Sequence, residues 1–183
     1  MDLATLSIII GVWTVVGNAY GVLQPRAFGE IVLRFPRNYP TGVVLTLIAT
    51  AWFVWILQHE TLADFDVHRT KMQVIFAAVG VAACLFLKDF LAVRGLAVIL
   101  LLLAKTVVDT ARFHDSDWRI LLVTFAYIWV IMGMWFTVSP WRLRDILEWT
   151  FGNEQRIRLF SGVRMALGAL LVLLGLTAFR GGA

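Results

Sequence analysis

The sequence has few of the residues from which catalytic and metal sites are usually built. It contains one cysteine and three histidines, and only 15% of its 183 residues are charged. The lone Cys84 cannot form a disulfide within the chain and excludes a multi-cysteine metal site. Ordinary soluble domains carry about 25% charged residues. The shortage of charge, together with the apolar excess, excludes a disordered chain and argues against a soluble enzyme.

Apolar residues take the place of the missing charge. They make up 60% of the chain, and the mean hydropathy is +0.82. The net charge of +4 does not indicate a nucleic-acid partner, because the basic residues are scattered between apolar runs. This composition is typical of a chain that lies in lipid. We therefore expect an all-α protein in which residues 1–183 form a single integral membrane domain, with the lipid bilayer as its first partner.

Long apolar runs predict six transmembrane helices. A spanning helix needs about 20 predominantly apolar residues, because the hydrocarbon core is about 30 Å thick. Four runs approach that length, and a longer apolar region is divided in two by Lys88, Asp89 and Arg94. The first run lacks a preceding basic segment, so we expect a mature helix there and not a signal peptide. The predicted spans, arranged as three hairpins, are 3–23, 41–58, 72–87, 95–113, 118–139 and 160–179.

The distribution of lysine and arginine predicts the orientation of these spans. Ten of the sixteen basic residues fall in the first, third and fifth connectors or in the first turns after them. By the positive-inside rule, these connectors are cytoplasmic. Both termini are then expected on the outer side of what we expect to be a bacterial inner membrane. The ten residues are Arg26, Arg34, Arg37, Lys88, Arg94, Arg142, Arg144, Arg156, Arg158 and Arg164.

The first and last cytoplasmic connectors resemble each other. A shift of 115 residues aligns LQPRAFGEIV with VSPWRLRDIL and matches Pro25 with Pro140. In both segments apolar residues recur at helical spacing, which predicts short amphipathic helices at 25–35 and 140–151 in the inner membrane surface. The similarity has two open explanations, a parallel duplication or a chance likeness between two basic connectors. The predicted apolar faces are Phe28, Ile31, Val32 and Phe35, and Leu143, Ile146, Leu147 and Thr150 or Phe151.

The fourth predicted span carries Lys105, Asp109 and Arg112 on one helical face. Counted from the start of that span, Lys105 lies roughly 15 Å and Asp109 roughly 21 Å into the membrane. A charge at the bilayer centre costs about 2.5–3.5 kcal/mol, so we expect the pair to face the protein interior. One interpretation is an ion or proton relay or a charged-substrate site, with Thr50 and Tyr127 as polar neighbours. The other is a mutually neutralising pair, with Arg112 reaching the outer interface.

Small residues indicate where helices approach each other closely. In the first span, Gly17 and Gly21 flank Asn18, whose amide can form a hydrogen bond across a helix contact. The last span carries Gly168 and Gly175, seven residues apart. We expect helix packing to be the role of all five residues.

All three histidines fall on the predicted outer side, beside acidic residues. His59 and His68 bracket a segment that contains Asp64 and Asp66, and His114 lies in FHDSDW. Histidine and carboxylate ligands suit zinc or a non-haem metal. However, the spacing matches no metal motif, and solvated acidic loops are the simpler explanation. We expect no resident cofactor.

These features favour a small, non-catalytic membrane protein. The connectors are short, and no catalytic or phosphate-binding motif is present in the sequence. The first hypothesis is an accessory or scaffold subunit of a larger membrane complex, whose partners are other membrane subunits or further copies of itself. The alternative is a small carrier of ions, protons or solutes that uses the charges of the fourth span. A membrane enzyme with an outer-facing metal site is the third hypothesis.

Overall fold

A computed structural model describes residues 2–60 and 68–179. Within these ranges the chain consists of helices and turns and has no strand, which confirms the predicted all-α class. A single turn of 3-10 helix, Phe35–Arg37, follows the second helix. The α-helices are α1 (Leu3–Leu23), α2 (Pro25–Arg34), α3 (Tyr39–His59), α4 (Arg69–Phe86), α5 (Leu91–Ala111), α6 (Arg119–Val138), α7 (Trp141–Phe151) and α8 (Glu154–Leu176).

Six of these helices are long and apolar enough to cross a membrane. They are α1, α3, α4, α5, α6 and α8, with lengths between 18 and 23 residues. At 1.5 Å per residue, such helices reach about 27–35 Å, which matches a hydrocarbon core of about 30 Å. The predicted number of long apolar helices is therefore confirmed, and the composition suggests a membrane location.

Helix α5 begins at Leu91, four residues before the predicted start of the fourth span. The carbonyl oxygen of Phe90 accepts hydrogen bonds from the backbone N–H groups of Val93 and Arg94, which closes the first turn. The prediction had taken the charge on Arg94 as the sign of a connector. Arg94 instead lies inside the helix, because the three apolar residues before it continue the helix towards its N-terminus.

Helix α8 also begins earlier than the apolar run that predicted it. Its first residue is Glu154, six residues before the predicted start at 160. The side chain of Asn153 accepts a hydrogen bond from the backbone N–H of Gln155 and caps the helix. A prediction based on long apolar runs therefore misses a polar first turn, even when a capping residue stabilises it.

The chain divides into two compact units. The first unit contains Met1–Arg34, Leu103–Val130 and Arg144–Ala183, and the second unit contains Phe35–Leu102 and Ile131–Leu143. Helices α5 and α6 contribute residues to both units. The expected single membrane domain stays a prediction.

In the first unit, α1 and α8 pack against each other as antiparallel helices. A Cβ atom built on Gly11 would lie 2.6 Å from the carbonyl oxygen of Gly168, so the two backbones are nearly in contact. At one end of the interface, Gly175 of α8 lies close to the backbone of Ala4 in α1. Because these residues lie about 160 positions apart in the chain, the pairing of the first and last long helices was not foreseen from local sequence.

The core of the first unit lies near the N-terminus of α1 and the C-terminus of α8. Residues from α5 and α6, such as Val107 and Ala126, join it and are completely buried. Small side chains at these positions let the helices approach, as in other membrane helix bundles. The cluster contains Leu3, Ala4, Leu6, Ala104, Val107, Ala111, Leu122, Ala126, Leu171, Leu174 and Phe179.

Helices are present at both predicted amphipathic connectors, and part of each apolar face is used inside the first unit. The rings of Phe28 in α2 and Phe151 in α7 lie 5.7 Å apart. Arg26 forms an ion pair with Glu154 at the start of α8. Ile31 and Trp149 remain exposed beside these contacts. Only a fraction of the predicted apolar surface is therefore left to meet lipid.

The shift of 115 residues relates whole elements as well as the two connectors. Applied to α1, α2 and α3, it gives 118–138, 140–149 and 154–174, which lie within two residues of the bounds of α6, α7 and α8. The order of a long, a short and a long helix therefore recurs with nearly identical spacing. This agreement favours the duplication explanation, which stays a prediction.

In the second unit, glycines bring α3 close to both α4 and α5. A Cβ atom on Gly80 of α4 would lie 2.1 Å from Oγ1 of Thr50, and one on Gly42 would lie 2.6 Å from the backbone nitrogen of Ala92. The hydroxyl of Tyr39 donates a hydrogen bond of 2.8 Å to the carbonyl oxygen of Cys84. These contacts fix the start of α3 against the end of α4 and the start of α5.

Candidate functional site

Lys105 and Asp109 form an ion pair on α5. The ammonium nitrogen of Lys105 donates a hydrogen bond of 2.5 Å to Oδ2 of Asp109. The residues are separated by four positions, so one helical turn brings their side chains together. The predicted pairing geometry is therefore present within the first unit.

The pair lies closer to the end of α5 than the sequence suggested. Because the helix runs from Leu91 to Ala111, Asp109 precedes its last residue by only two positions, about 3 Å along the axis. Lys105 lies about 9 Å from the same end. A lysine stem can extend its ammonium group over part of that distance towards the helix end. The observed helix bounds therefore change the count on which the expected depth was based, and the depth of the pair in a membrane stays a prediction.

The side chains of the pair are exposed, and this differs from the interior-facing arrangement that we expected. The side chain of Lys105 is 39% exposed and that of Asp109 is 57% exposed. The interior expectation assumed a deep charge that must be kept from lipid. In the last two turns of any spanning helix that requirement is weaker, because the end of such a helix lies near the interface. The chain by itself therefore leaves the pair on its surface.

Arg112 takes no part in the pair in the described structure, although it lies on the same face. Its guanidinium group lies 5.3 Å from the centre of the Phe113 ring. The next arginine, Arg119, donates a hydrogen bond of 2.5 Å to the carbonyl oxygen of His114 and orders the connector after α5. Arg112 therefore follows the last residue of α5, and its predicted reach to the outer interface stays a prediction.

Thr50 and Tyr127 were expected as polar neighbours of the pair. Thr50 belongs to the second unit, and its hydroxyl donates a hydrogen bond of 2.7 Å to the carbonyl oxygen of Thr46 in its own helix. Tyr127 is exposed on α6, and its hydroxyl has no hydrogen-bond partner among residues 2–60 and 68–179. Neither residue is therefore seen in contact with the pair, and their role as polar neighbours stays a prediction.

The packing residues fall into two groups. Gly21, Gly168 and Gly175 all lie at close contacts, because a Cβ atom at any of them would come within 3 Å of a neighbouring atom. The expectation is corrected at the other two positions. A Cβ on Gly17 would meet nothing within 4 Å among the described residues, and the amide of Asn18 donates to the carbonyl oxygen of Thr14 in the same helix.

The histidines have separate environments. Nδ1 of His59 lies 2.8 Å from the carbonyl oxygen of Trp55, and His68 is exposed. Nδ1 of His114 accepts a hydrogen bond from the backbone N–H of Ser116, and its Nε2 lies 3.3 Å from the carbonyl oxygen of Phe179. Asp64 and Asp66 lie outside the described residues. No group of three metal-ligating side chains occurs in the part of the chain that the structure describes.

A second unusual site lies in the second unit, and the sequence did not indicate it. Nε of Arg94 and Oγ1 of Thr46 are both buried without a hydrogen-bond partner among the described residues. A buried unsatisfied polar group costs about 1–3 kcal/mol, so native structures rarely keep one without a reason. Arg94 was assigned to a connector, and the cue that could have placed it in a helix is the apolar triplet Leu91 to Val93.

No protein-family model matches this chain, and the searches found no similar curated protein and no similar solved structure.

Proposed function

We propose that this protein is a non-catalytic subunit of a membrane complex and binds its partner through the C-terminal end of α5. The observation that supports the proposal is the exposed pair of Lys105 and Asp109 on a helix that is apolar and long enough to span a membrane. A partner helix with polar side chains would cover the pair and donate a hydrogen bond to the carboxylate of Asp109. The partner is then another integral membrane protein.

The geometry of the pair favours association over transport. A relay or carrier needs several titratable or polar groups that follow one another across the membrane. In the described first unit, Arg112 is directed to the Phe113 ring and Tyr127 makes no hydrogen bond. A single pair near one helix end suits a contact surface, where it selects a partner of complementary charge and sets the helix register.

The proposal includes a topology of six crossings, arranged as three hairpins, with both termini outside. The basic residues of the odd connectors support this orientation through the positive-inside rule. Exposed apolar side chains on the short helices α2 and α7, such as Ile31 and Trp149, support their position in the inner membrane surface. The pair on α5 then lies at the outer surface.

Site-specific photo-cross-linking in native membranes tests the partner surface. A photoreactive residue replaces Arg112, which shares the face of the pair, and a control replaces the exposed Val74 in the first half of α4. We expect the Arg112 position to give one cross-linked product with a different membrane protein, and the Val74 position to give lipid adducts only. A product of twice the chain mass would contradict a hetero-partner, and lipid adducts at both positions would contradict any protein contact here.

Cysteine labelling tests the topology. In a Cys84→Ala background, a cysteine at Ser116 is expected to react with a membrane-impermeant maleimide in intact cells. A cysteine at Asn153 is expected to react only after permeabilisation, because its connector is proposed to be cytoplasmic. Labelling of Asn153 in intact cells would reverse the proposed orientation.

A further inference from the structure

The second unit contains a partly open pocket between α3, α4 and α5. Its volume is about 300 Å³, at the lower end of the range for ligand sites. Most of the lining is apolar, and the T-shaped ring pair of Phe53 and Phe76 lies in its wall. Val79 and Val98 line the pocket and are also exposed, so its mouth lies on the apolar surface of the helices.

The polar groups of the pocket are concentrated towards the N-terminal end of α5. Arg94 is three residues from the start of that helix, about 4.5 Å along its axis. The hydroxyl of Thr46 lies 3.0 Å from the position that a Cβ of Gly95 would occupy, so it adjoins the residue that follows Arg94. Neither Nε of Arg94 nor Oγ1 of Thr46 has a hydrogen-bond partner among the described residues. The third polar lining residue, Thr50, already donates to a backbone carbonyl.

We propose that this pocket binds an anionic phospholipid, with the phosphate on Arg94 and Thr46 and part of one acyl chain along the apolar wall. A guanidinium group binds phosphate oxygens through charge-assisted hydrogen bonds, and the threonine hydroxyl supplies one more donor. Basic pockets between membrane helices are an established way to recognise anionic headgroups. The site is independent of the partner surface on α5 that the proposed function uses.

The charge of Arg94 and the apolar wall of the pocket together favour this class of ligand over others. A soluble anion would use Arg94 and Thr46 but leave the apolar wall unoccupied. A neutral lipid would fill the apolar wall but leave the guanidinium group unneutralised. Arg94 is close to the start of α5, and the apolar pocket beside it opens on an apolar surface. This arrangement fits a molecule whose phosphate lies at the membrane interface and whose acyl chains lie in the hydrocarbon core.

The experiment measures lipid binding to the full-length protein purified in a mild detergent. Phosphatidylglycerol is titrated while the midpoint of thermal unfolding is followed, and phosphatidylcholine with the same acyl chains serves as the neutral control. Oleate and inorganic phosphate are titrated separately to distinguish a free fatty acid or a free anion. We expect saturable stabilisation by phosphatidylglycerol, with an apparent affinity about tenfold higher than for the other three probes.

Four variants test separately the binding of the lipid headgroup and the binding of its acyl chain. Arg94→Gln is expected to weaken phosphatidylglycerol binding about tenfold, and Arg94→Lys less, because lysine keeps the charge but loses the planar fork. Val98→Trp obstructs the mouth from an exposed position and is expected to weaken binding to a similar degree while Arg94 is intact. Arg142→Gln removes one exposed arginine elsewhere and should leave the affinity within about twofold.

Two results would overturn the proposal. If Arg94→Gln and Val98→Trp both bind phosphatidylglycerol as the parent protein does, the pocket is not the site. If phosphatidylcholine, oleate or phosphate stabilises the parent protein as well as phosphatidylglycerol does, the ligand is not an anionic phospholipid.

Discussion

In both units, helices pack closely at glycine residues, but the two units differ in whether a buried hydroxyl group forms a hydrogen bond. In the first unit, Ser7 is completely buried, and its hydroxyl donates a hydrogen bond of 2.7 Å from α1 to the carbonyl oxygen of Leu171 in α8. In the second unit, the hydroxyl of Thr46 is buried beside a cavity of about 300 Å³ and has no hydrogen-bond partner in the described ranges of the chain. One interface satisfies its polar atom within the chain, and the other does not.

This difference separates polar groups that hold a fold together from those that are free to bind something else. A buried hydrogen bond between helices adds a small net stability and fixes their register. A buried donor without a partner lowers stability until a ligand or water satisfies it. We therefore expect the stability of the second unit to depend on what its pocket binds.

The largest expected effect comes from overfilling the interface between α1 and α8. Gly11→Leu would place side-chain atoms against the backbone of Gly168, where a Cβ alone would already lie 2.6 Å from the carbonyl oxygen. Overpacking of this kind costs about 1–3 kcal/mol or more, and a backbone neighbour cannot move aside. The matched variant Gly17→Leu lies in the same helix, with open space around its Cβ. We expect the folded fraction in membranes to fall sharply for the first variant only; equal yields would show that the close contact is not needed.

A pair of hydroxyl deletions should change stability in opposite directions. Ser7→Ala removes a hydrogen bond and is expected to lower the free energy of unfolding by about 1 kcal/mol. Thr46→Val removes an unsatisfied hydroxyl with little change of shape. In protein freed of lipid, it should raise the free energy of unfolding by about the same amount. Thermal and denaturant unfolding of the purified chain would measure both. A loss of stability in Thr46→Val would mean that its hydroxyl is already satisfied, which removes the contrast between the units.

The smallest expected effect concerns the ion pair of α5. Because its side chains are exposed, Lys105→Met and Asp109→Leu should each lower the stability of the isolated chain by about 0.3–0.5 kcal/mol, the range of exposed ion pairs one turn apart on a helix. The double variant should recover most of the loss, as a double-mutant cycle would show. If either single change cost several kcal/mol in the isolated chain, the pair would be buried within it, and the partner surface would have to be placed elsewhere.

The sequence predicted the features that depend on local pattern. Apolar length identified all six long helices, and helical spacing of apolar residues identified the short helices α2 and α7. The spacing of Lys105 and Asp109 was sufficient to predict their contact, because four residues make about one turn.

Features that depend on distant contacts or on capping were not predictable in the same way. Glycine spacing selected Gly17, which has open space, and passed over Gly11, which touches α8, because only the tertiary structure decides which face of α1 is covered. The start of α5, from which the depth of Asp109 was counted, was placed four residues too late because it depends on the turn at Phe90 and not on charge. The pocket around Arg94 needed three helices to be assembled before it could be recognised.

The recurring order of long, short and long helices also has a consequence for biogenesis. In a chain whose six long helices all cross the bilayer, four crossings separate the start of α1 from the start of α6. An even number of crossings returns the growing chain to the side of the membrane from which it began. The helices α1, α2 and α3 and the helices α6, α7 and α8 would therefore be inserted in the same orientation. A duplicated segment would then keep its basic connector on the same side of the membrane. Both α2 and α7 are basic, although their arginines, Arg26 and Arg34 against Arg142 and Arg144, stand at different positions of the aligned segments. With an odd number of crossings between them, the second copy would be inserted upside down, and its basic connector would have to be translocated against the charge bias that orients the first.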